Sequence, residues 1–400
     1  MAQPGTTVAP PAVAPRAWRS AAVRRGARRL AGLSNRARPR PRCAASADPS
    51  ETFTIVGASG RVGTALVAVC ASAGVPHIPV RRDTDDGVFE GTEGPIFVAT
   101  HASDLDAVVR RVPRERHRDL VFLQGGLLRD GWLERRGLRR ATQAALYLAA
   151  GTDTETGAMR DGGGASVAHG PRAADVVRLL ALGGVACAAV DEETFAKKAL
   201  EKLLWASSFW VLCAAGRCDD GDDGDDGDGS LFSVSESVRQ TRAGGSRIAD
   251  RGVPVSEKTP ITVGEIVDGS CVAAKARAER LLGELFDVAA TRRDFAFLTR
   301  SGEDARLNAR SVAIENAFAY SRSIPSAVPS REMASREAPF RNGWFLMENE
   351  NENEKNETGT PRRERNAGSL HARLLRRVGA DPGALAADAA ETHAVKRLET

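Results

Sequence analysis

The chain has 400 residues, of which 42% are hydrophobic and 27% charged, and its formal net charge is +4 at pH 7. This length and apolar content suffice for two domains with a sizeable core, and no apolar run is long enough to span a bilayer. The six cysteines show neither a CxxC pair nor metal-ligand spacing, so we expect buried thiols in a reducing compartment and no metal site.

The first 42 residues contain ten arginines and no acidic residue. An Arg-rich segment of this kind, without a long apolar run, is typical of an organellar transit peptide. Arg42-Cys43-Ala44-Ala45 resembles a chloroplast processing site, so residues 1–45 are predicted to be a disordered transit peptide for the chloroplast stroma, with the mitochondrion as the alternative. A basic arm that binds nucleic acid is the other interpretation. Without these ten charges the formal +4 falls to about −6, which argues against a nucleic-acid partner for the folded part.

Residues 51–190 are predicted to form a nucleotide-binding domain. The apolar run at 52–56 leads into glycines at 57, 60 and 63 and then into a helical segment at 64–73. In the first βα unit of a doubly wound fold, such glycines allow a tight turn and close approach of the backbone to a pyrophosphate, which the helix N-terminus holds. The residues predicted to bind the dinucleotide are Gly57, Ala58, Ser59, Gly60, Arg61, Val62 and Gly63. An ordinary strand-turn-helix is the alternative.

The segment that follows indicates which dinucleotide binds. A second strand is predicted at 77–80, and Arg81 and Arg82 follow it where such folds contact the adenosine ribose. Arginine accommodates a 2′-phosphate, whereas a carboxylate accepts a hydrogen bond from a free 2′-hydroxyl. NADP is therefore the expected cofactor and NAD the less favoured one, and Asp83 keeps that question open.

Further buried strands are predicted at 94–100 and 119–123, with helices between them, and more of the sheet at 144–148 and 165–168. This alternation implies an α/β fold with a doubly wound parallel sheet, whose ligands bind at the carboxyl ends of the strands. Thr100, Gln124 and Gly125 are therefore expected beside the nicotinamide. His101 is interpreted as a loop or phosphate contact and not as a catalyst.

A helical segment at 191–215 contains a candidate for acid–base chemistry. The chain uses seven lysines against 49 arginines, and three of the seven lie at 197–202. On helical spacing, Lys202 shares its face with Phe195, Ala199, Ala206, Phe209 and Cys213. A lysine on such an apolar stripe either extends its ammonium to the surface or is desolvated, which lowers its pKa and makes it a usable proton donor. The spacing alone leaves both alternatives open.

Further helices are predicted at 261–290 and 304–320, so residues 191–346 are predicted to form a mostly α-helical C-terminal domain with an acidic Asp/Gly loop at 217–230. Residues 347–400 begin with an Asn/Glu-rich run and are predicted to be a low-complexity linker and tail, with one amphipathic helix at 370–378.

Several motifs together resemble the ketopantoate reductase family, which belongs to the group with 6-phosphogluconate-dehydrogenase-like helical C-terminal domains. They are the glycine-rich first βα unit, Leu123-Gln124-Gly125, Glu201-Lys202-Leu203 and Asn342-Gly343. Phe122-Leu-Gln-Gly, Glu201-Lys-Leu-Leu-Trp205 and Phe340-Arg-Asn-Gly-Trp-Phe345 are similar to a branch of plant and algal plastid proteins related to that family. The resemblance covers about residues 52–346. It implies an N-terminal Rossmann domain, a helical C-terminal domain and NADP-dependent reduction of a small carbonyl substrate similar to a 2-keto acid.

The resemblance also implies roles for individual residues. In ketopantoate reductases a helical lysine protonates the ketone oxygen as hydride arrives, and Lys202 matches it. A glutamate five residues before a terminal Asn-Gly hydrogen-bonds the substrate hydroxyl, and Glu337 matches it. Ser326 and Asn342 match substrate-binding positions. We expect neither a nucleic-acid nor a membrane partner, and a homodimer is left open.

The chain departs from the family at two amides. Gly125 stands where the family usually has Asn, and Ala206 stands where an Asn usually follows the lysine by four residues. Without these amides the site lacks polar contacts that a 2-keto acid needs, which argues against ketopantoate itself as the substrate. The absence of these two amides also favours the alternative function, a non-catalytic NADP-binding regulatory or scaffold protein of the plastid.

A short-chain dehydrogenase relative is a third interpretation, because the glycine turn suits that group as well. Its Tyr-x-x-x-Lys pair is absent, since Tyr147 and Tyr320 are followed four residues later by Gly151 and Ile324. Such a relative would continue the sheet beyond Val190, whereas the ketopantoate reductase resemblance requires helices there.

Overall fold

A computed structural model of the chain describes residues 51–125, 128, 132–150, 159–216, 261–270, 272–300, 302–329, 331–347 and 369–393. The predicted transit peptide, the acidic loop at 217–230 and the Asn/Glu-rich run lie outside these residues and stay predictions. No helix within the described residues is long and apolar enough to cross a membrane.

Within the described residues, one sheet of seven strands has the order β2-β1-β3-β4-β5-β8-β9. Its strands are β1 (Phe53–Val56), β2 (His77–Val80), β3 (Ile96–Val98), β4 (Leu120–Phe122), β5 (Thr142–Ala145), β8 (Ser166–His169) and β9 (Cys187–Ala189). Strands β6 (Leu148–Ala150) and β7 (Met159–Asp161) form a separate antiparallel pair. The first five strands of the large sheet are parallel, β8 runs antiparallel to β5, and β9 runs parallel to β8. The predicted doubly wound sheet is confirmed, with a reversed extension at one edge.

The central strands are buried on both faces, which is why their sequences are continuously apolar. Phe53 and Ile55 pack with Leu66 in one hydrophobic cluster. Val56 and Val98 belong to another cluster, to which helices and loops on the opposite face contribute.

The helices accompany the sheet and then continue without it. They are α1 (Arg61–Ser72), α2 (Leu105–Arg111), α3 (Trp132–Arg135), α4 (Ala173–Leu182), α5 (Glu192–Ala215), α6 (Val263–Val267), α7 (Val272–Ala290), α8 (Glu303–Ser323), α9 (Arg331–Glu337), α10 (Asn342–Leu346), α11 (Leu370–Arg377) and α12 (Pro382–His393). The described residues after β9 form helices, turns and loops but no strand. The predicted helical C-terminal domain is therefore confirmed. The short-chain dehydrogenase interpretation required further strands after Val190, and the described residues there form none.

Helix α5 connects the sheet to the helical part. Asp191 is its N-cap, and the Asp191 carboxylate accepts a hydrogen bond from the backbone N–H of Thr194 at 2.8 Å. Near its start, Phe195 packs with Ala145 of β5 and Val167 of β8. Its second half lies in the core of the helical part. The helix thus extends from the carboxyl end of β5 into a second hydrophobic core, and Lys202 lies between the two.

The end of the chain differs from the prediction of a linker and solvated tail. Leu370, Leu374 and Leu375 are buried in the same hydrophobic cluster as α5. Glu284 of α7 accepts hydrogen bonds at 3.0 Å from the first two backbone N–H groups of α11, which are groups that a helix leaves unpaired. Residues 369–393 therefore belong to the helical domain, because their apolar side chains pack against α5 and α7, which are distant in sequence.

Candidate active site

The glycine turn after β1 has the close backbone contacts that its spacing predicts. Gly57 has φ of +83°, and a Cβ atom there would lie 3.0 Å from the carbonyl group of Ala99 and from Cγ2 of Thr100. A Cβ atom at Gly63 would overlap the Gly57 carbonyl group. The N–H of Gly60 donates to that carbonyl at 2.9 Å. The turn is therefore tight, and it places the start of α1 beside the carboxyl end of β3.

The N-terminus of α1 is open to an anion. Gly60 is the N-cap, no side chain caps the helix and its first turn contains no acid. Ser59, Gly60 and Arg61 are exposed, whereas Ala58 is buried beneath the turn and Val62 is half-buried. The first N–H groups of a helix have no intrahelical acceptor and carry a partial positive charge. This is the arrangement that a pyrophosphate requires.

Two exposed arginines follow β2, next to this turn. The N–H of Gly57 donates to the carbonyl of Val80 at 3.0 Å. Arg81, the next residue, therefore lies beside the start of the glycine turn. Arg82 has a side chain that is 94% exposed and pairs only loosely with Asp104, at 3.5 Å. An exposed ion pair at this separation contributes little to stability, so the positive charge of Arg82 is available to a phosphate.

Three buried polar atoms at the carboxyl ends of β3 and β4 have no hydrogen-bond partner among the described residues. They are Oγ1 of Thr100, Nε2 of His101 and Oε1 of Gln124. The amide nitrogen of Gln124 donates to the carbonyls of Val98 and Thr100, at 3.0 and 3.2 Å, which leaves its oxygen to face elsewhere. Buried polar atoms are rarely left without a partner. These atoms can still form hydrogen bonds, and they lie where the nicotinamide is predicted to bind.

A small pocket, partly open to solvent, lies where β4 and β5 end against α5. Its walls combine polar groups with apolar side chains. The lining residues are Phe122, Gln124, Gly125, Leu128, Gln143, Ala144, Ala145, Phe195, Ala199 and Lys202. The structure thus brings Lys202 to the same site as Gln124 and Gly125, from which it is distant in sequence.

The three lysines of α5 have different surroundings. Lys197 and Lys198 form ion pairs at 2.7 Å, with Glu193 and Glu201 respectively. Within the described part of the chain, the ammonium of Lys202 has neither a hydrogen bond nor an ion pair, and it lies 5.9 Å from the centre of the Tyr147 ring.

The surroundings of Lys202 lower its pKa. Burial and the positive charge of Arg341 lower the pKa of Lys202 to about 8, and the negative charge of Glu337 opposes them. Of the two alternatives left open by helical spacing, the structure therefore favours the desolvated lysine.

Glu337 lies near Lys202, and it is held by a residue that the sequence analysis missed. A nitrogen of the Arg341 guanidinium forms an ion pair with the Glu337 carboxylate. The same guanidinium covers Gly125, where a Cβ atom would lie 2.7 Å from the Nη2 atom of Arg341. The contact depends on two positions that are more than 200 residues apart, so no local pattern in the sequence indicates it.

Two predicted substrate-binding residues lie elsewhere. Asn342 is fully buried. Its side-chain amide accepts a hydrogen bond from Trp210, donates to the carbonyl of Ser207 and contacts Nε2 of His371, at 3.0, 2.8 and 2.8 Å. It joins α5, α10 and α11 and is not among the residues that line the cavity. Ser326 is exposed in the loop after α8 and is not among the residues that line the cavity. Within the described residues no group of His, Cys, Asp and Glu side chains could hold a metal ion.

No protein-family model and no curated protein sequence matches this chain. Several solved structures are similar to it. A PanE/ApbA family ketopantoate reductase from Ralstonia eutropha is 16% identical with a TM-score of 0.45, over 82% of this chain and 98% of that one. A D-mandelate dehydrogenase with NADH and anilino(oxo)acetate is 11% identical with a TM-score of 0.47, over 84% and 99%. A putative 2-dehydropantoate 2-reductase from Enterococcus faecalis is 12% identical with a TM-score of 0.38, over 84% and 99%. Ketopantoate reductases, which the sequence motifs resemble, are thus among these structures.

Proposed function

We propose that this chain is a nicotinamide-dependent oxidoreductase that reduces a small carbonyl compound, with NADP as the favoured cofactor and NAD less favoured. One observation supports this function above the others. Lys202 lines a cavity at the carboxyl ends of the strands with an ammonium group that no described residue pairs. A lysine needed only for structure would be expected to have a partner or to reach solvent.

The described residues fit a dinucleotide. The open N-terminus of α1 and the glycine turn would hold the pyrophosphate, and Arg81 and Arg82 would hold a 2′-phosphate. The unpaired oxygens of Thr100 and Gln124 would meet the polar groups of the nicotinamide. When bound, the reduced nicotinamide supplies the hydride that a carbonyl carbon accepts.

Lys202 supplies the proton that the carbonyl oxygen takes up. A donor is most effective when its pKa lies near the working pH, and burial beside Arg341 lowers the pKa of Lys202 to about 8. Its ammonium also stabilises the developing negative charge on the oxygen before the proton moves. Glu337 partly offsets the positive charges of Lys202 and Arg341 and, as the resemblance implies, orients the substrate by a hydrogen bond to its hydroxyl.

The test is Lys202→Met in the full-length chain, measured by NADPH oxidation with a panel of small 2-oxo carbonyl compounds. Loss of general acid catalysis lowers kcat by about 100- to 10,000-fold, while NADPH affinity measured by calorimetry stays unchanged. Lys197→Met removes the same charge from an exposed, ion-paired position on the same helix and is the matched control. Equal turnover by the two variants would refute the role of Lys202.

A non-catalytic NADP-binding protein is the second candidate. Gly125 and Ala206 lack the amides of the family, and Glu337 is already engaged by Arg341. This candidate requires that NADPH binds while the wild-type chain oxidises none of the carbonyl compounds in the panel. The same pair of measurements therefore separates the two functions.

We also propose the chloroplast stroma as the location, with the mitochondrion as the alternative, from the Arg-rich residues 1–45. A fluorescent protein carrying residues 1–45 would be imported into the plastid of a plant or algal cell. A fusion in which the ten arginines are replaced by glutamine would stay outside. Import into mitochondria alone would overturn the first choice.

A further inference from the structure

We infer that Tyr147 is a positioning residue for the proton donor, because the face of its ring holds the Lys202 ammonium in its charged form at the pocket. This inference rests on the proposed reductase function and adds to it a residue that neither the glycine turn nor the family motifs indicate. Tyr147 lies between β5 and β6, so it is distant in sequence from the helix that carries Lys202.

The Lys202 ammonium lies over the Tyr147 ring, 5.9 Å from the ring centre. The negative π face of an aromatic ring attracts a cation at separations up to about 6 Å. Among the described residues, neither a hydrogen bond nor an ion pair holds this ammonium. The ring therefore supplies an attraction that those residues do not otherwise provide by direct contact.

A ring face attracts an ammonium differently from a carboxylate. A carboxylate accepts the N–H groups of a lysine in directed hydrogen bonds, as Glu193 does for Lys197 at 2.7 Å on the same helix. A π face stabilises the charge without such an acceptor, so the three N–H donors of the Lys202 ammonium stay available to a carbonyl oxygen. The ring thus keeps the proton donor charged without competing with the substrate.

The surrounding structure fixes the Tyr147 ring, which is buried. The backbone N–H of Tyr147 donates to Oγ of Ser166 at 2.9 Å, and its carbonyl accepts from the N–H of Gly162 at 2.8 Å. A Cβ atom at Gly164 would overlap the ring, so the backbone there packs directly against it. The Tyr320 ring of α8 makes an edge contact at 4.7 Å between ring centres. A ring held from several elements can determine where a flexible lysine places its ammonium.

The Tyr147 hydroxyl stays neutral, so the ring acts through its face and not as a phenolate. Burial raises the pKa of Tyr147 above its usual range, and Glu201 and the Tyr320 hydroxyl raise it further. Glu201 itself is engaged elsewhere, since it accepts hydrogen bonds from Lys198 and Asn316 at 2.7 and 2.9 Å. Glu201 therefore does not replace the ring as the partner of the proton donor.

Two charged side chains also act on the Lys202 ammonium. Burial and the positive charge of Arg341 lower its pKa to about 8, and the negative charge of Glu337 raises it. The ring acts in the same direction as Glu337 and against burial. Without the ring, a larger fraction of the lysine would be neutral at pH 8 and unable to donate a proton.

The experiment measures the pKa of Lys202 without any turnover. The full-length chain is labelled with a small amine-reactive reagent at a series of pH values, and peptide mass spectrometry gives the labelling rate at each lysine. Tyr147→Leu keeps an apolar side chain without the π face, and we expect the pKa of Lys202 to fall by about 0.5–1. Tyr147→Phe keeps the π face and leaves this pKa unchanged. Lys197, exposed on the same helix, is the internal control, and neither variant changes its labelling.

A second measurement covers the case in which Tyr147→Leu does not fold. Fluorinated phenylalanines introduced at position 147 keep the shape of the ring and withdraw negative charge from its face. The pKa of Lys202 is then expected to fall with each fluorine added.

The kinetic readout separates positioning from a general loss of structure. With a substrate from the carbonyl panel, Tyr147→Leu lowers kcat at pH 8 by about two- to fivefold. It leaves kcat at pH 6 unchanged, because Lys202 is protonated in both proteins at that pH. A merely structural defect would lower both values.

The inference is overturned if Tyr147→Leu or fluorination leaves the pKa of Lys202 unchanged or raises it, because the ring would then act on the lysine only by excluding water. Failure of the proposed function has a different signature, since the wild type would then oxidise NADPH with none of the carbonyl compounds. The labelling curves, which need neither cofactor nor substrate, would still decide the role of Tyr147.

Discussion

Replacing Asn342 by alanine separates a structural role from a substrate contact. The side chain of Asn342 is fully buried and joins three partners, namely the indole N–H of Trp210, the carbonyl of Ser207 and the imidazole of His371. Asn342→Ala leaves all three without this partner in the core. A buried polar group that loses its partner costs about 1–3 kcal/mol. Because the three share one site their costs do not add fully, and we expect a loss of about 3–5 kcal/mol in the free energy of unfolding.

Urea unfolding of the full-length chain, followed by tryptophan fluorescence, measures this loss. Asn308→Ala is the matched control, because Asn308 is exposed on α8, and its effect should stay within about 0.5 kcal/mol. The substrate-binding role implied by the family resemblance predicts the reverse pattern. An Asn342→Ala variant with wild-type stability and a raised KM would refute the structural reasoning.

Three further predictions concern charge. The rate of carbonyl reduction falls as the pH rises through about 8, because Lys202 donates only when protonated, and Lys202→Met abolishes this limb of the pH–rate profile. Arg81→Gln and Arg82→Gln each weaken NADPH binding about tenfold, by loss of a contact to the 2′-phosphate, with NADH affinity unchanged; equal effects on both cofactors would contradict a phosphate role. Burial lowers the pKa of His371 from 6.5 to about 3, so its contribution to stability is complete above pH 6.5 and declines as the pH falls towards 3. In urea unfolding between pH 4 and 7, His371→Gln makes the free energy of unfolding depend less on pH. If the variant and the wild type show the same pH dependence, His371 is not its source.

The sheet and the glycine turn could be predicted because their signals are local. Apolar runs mark β1, β3 and β4, which are buried on both faces, and the glycine spacing reflects the local contact of Gly63 with the Gly57 carbonyl group. Strand β9 was missed, since Cys187–Ala189 is a short run of small residues at an edge and its exposed alanines show no alternation.

The site was predictable only where a motif coincides with a local element. Lys202 stands out on its helix, and Gln124 and Gly125 end a clear strand. Arg341 could not be recognised, because its meaning depends on contact with Gly125, which is distant in sequence. The motif match assigns Asn342 to the substrate, but a motif does not distinguish a residue that lines the site from one that joins the helices behind it.

Helices α11 and α12 show the same limit for domain boundaries. Their residues follow a polar, low-complexity run, so composition places them in a tail. The leucines at 370, 374 and 375 are buried only because they pack against α5 and α7 in the folded domain. Amphipathic spacing predicts a helix, but it does not say what the helix covers.

The contact between Gly125 and Arg341 also ties two distant codons together. An arginine that arises before the glycine meets a side chain in its way, and a glycine that arises before the arginine leaves the space beside it unfilled. We therefore expect proteins that descend from this chain's ancestor to keep both residues or neither. A Gln-Gly after the fourth strand combined with Arg-Asn-Gly near the end of the helical domain is then a signature by which proteins with this contact could be found among sequences that are otherwise too divergent to align.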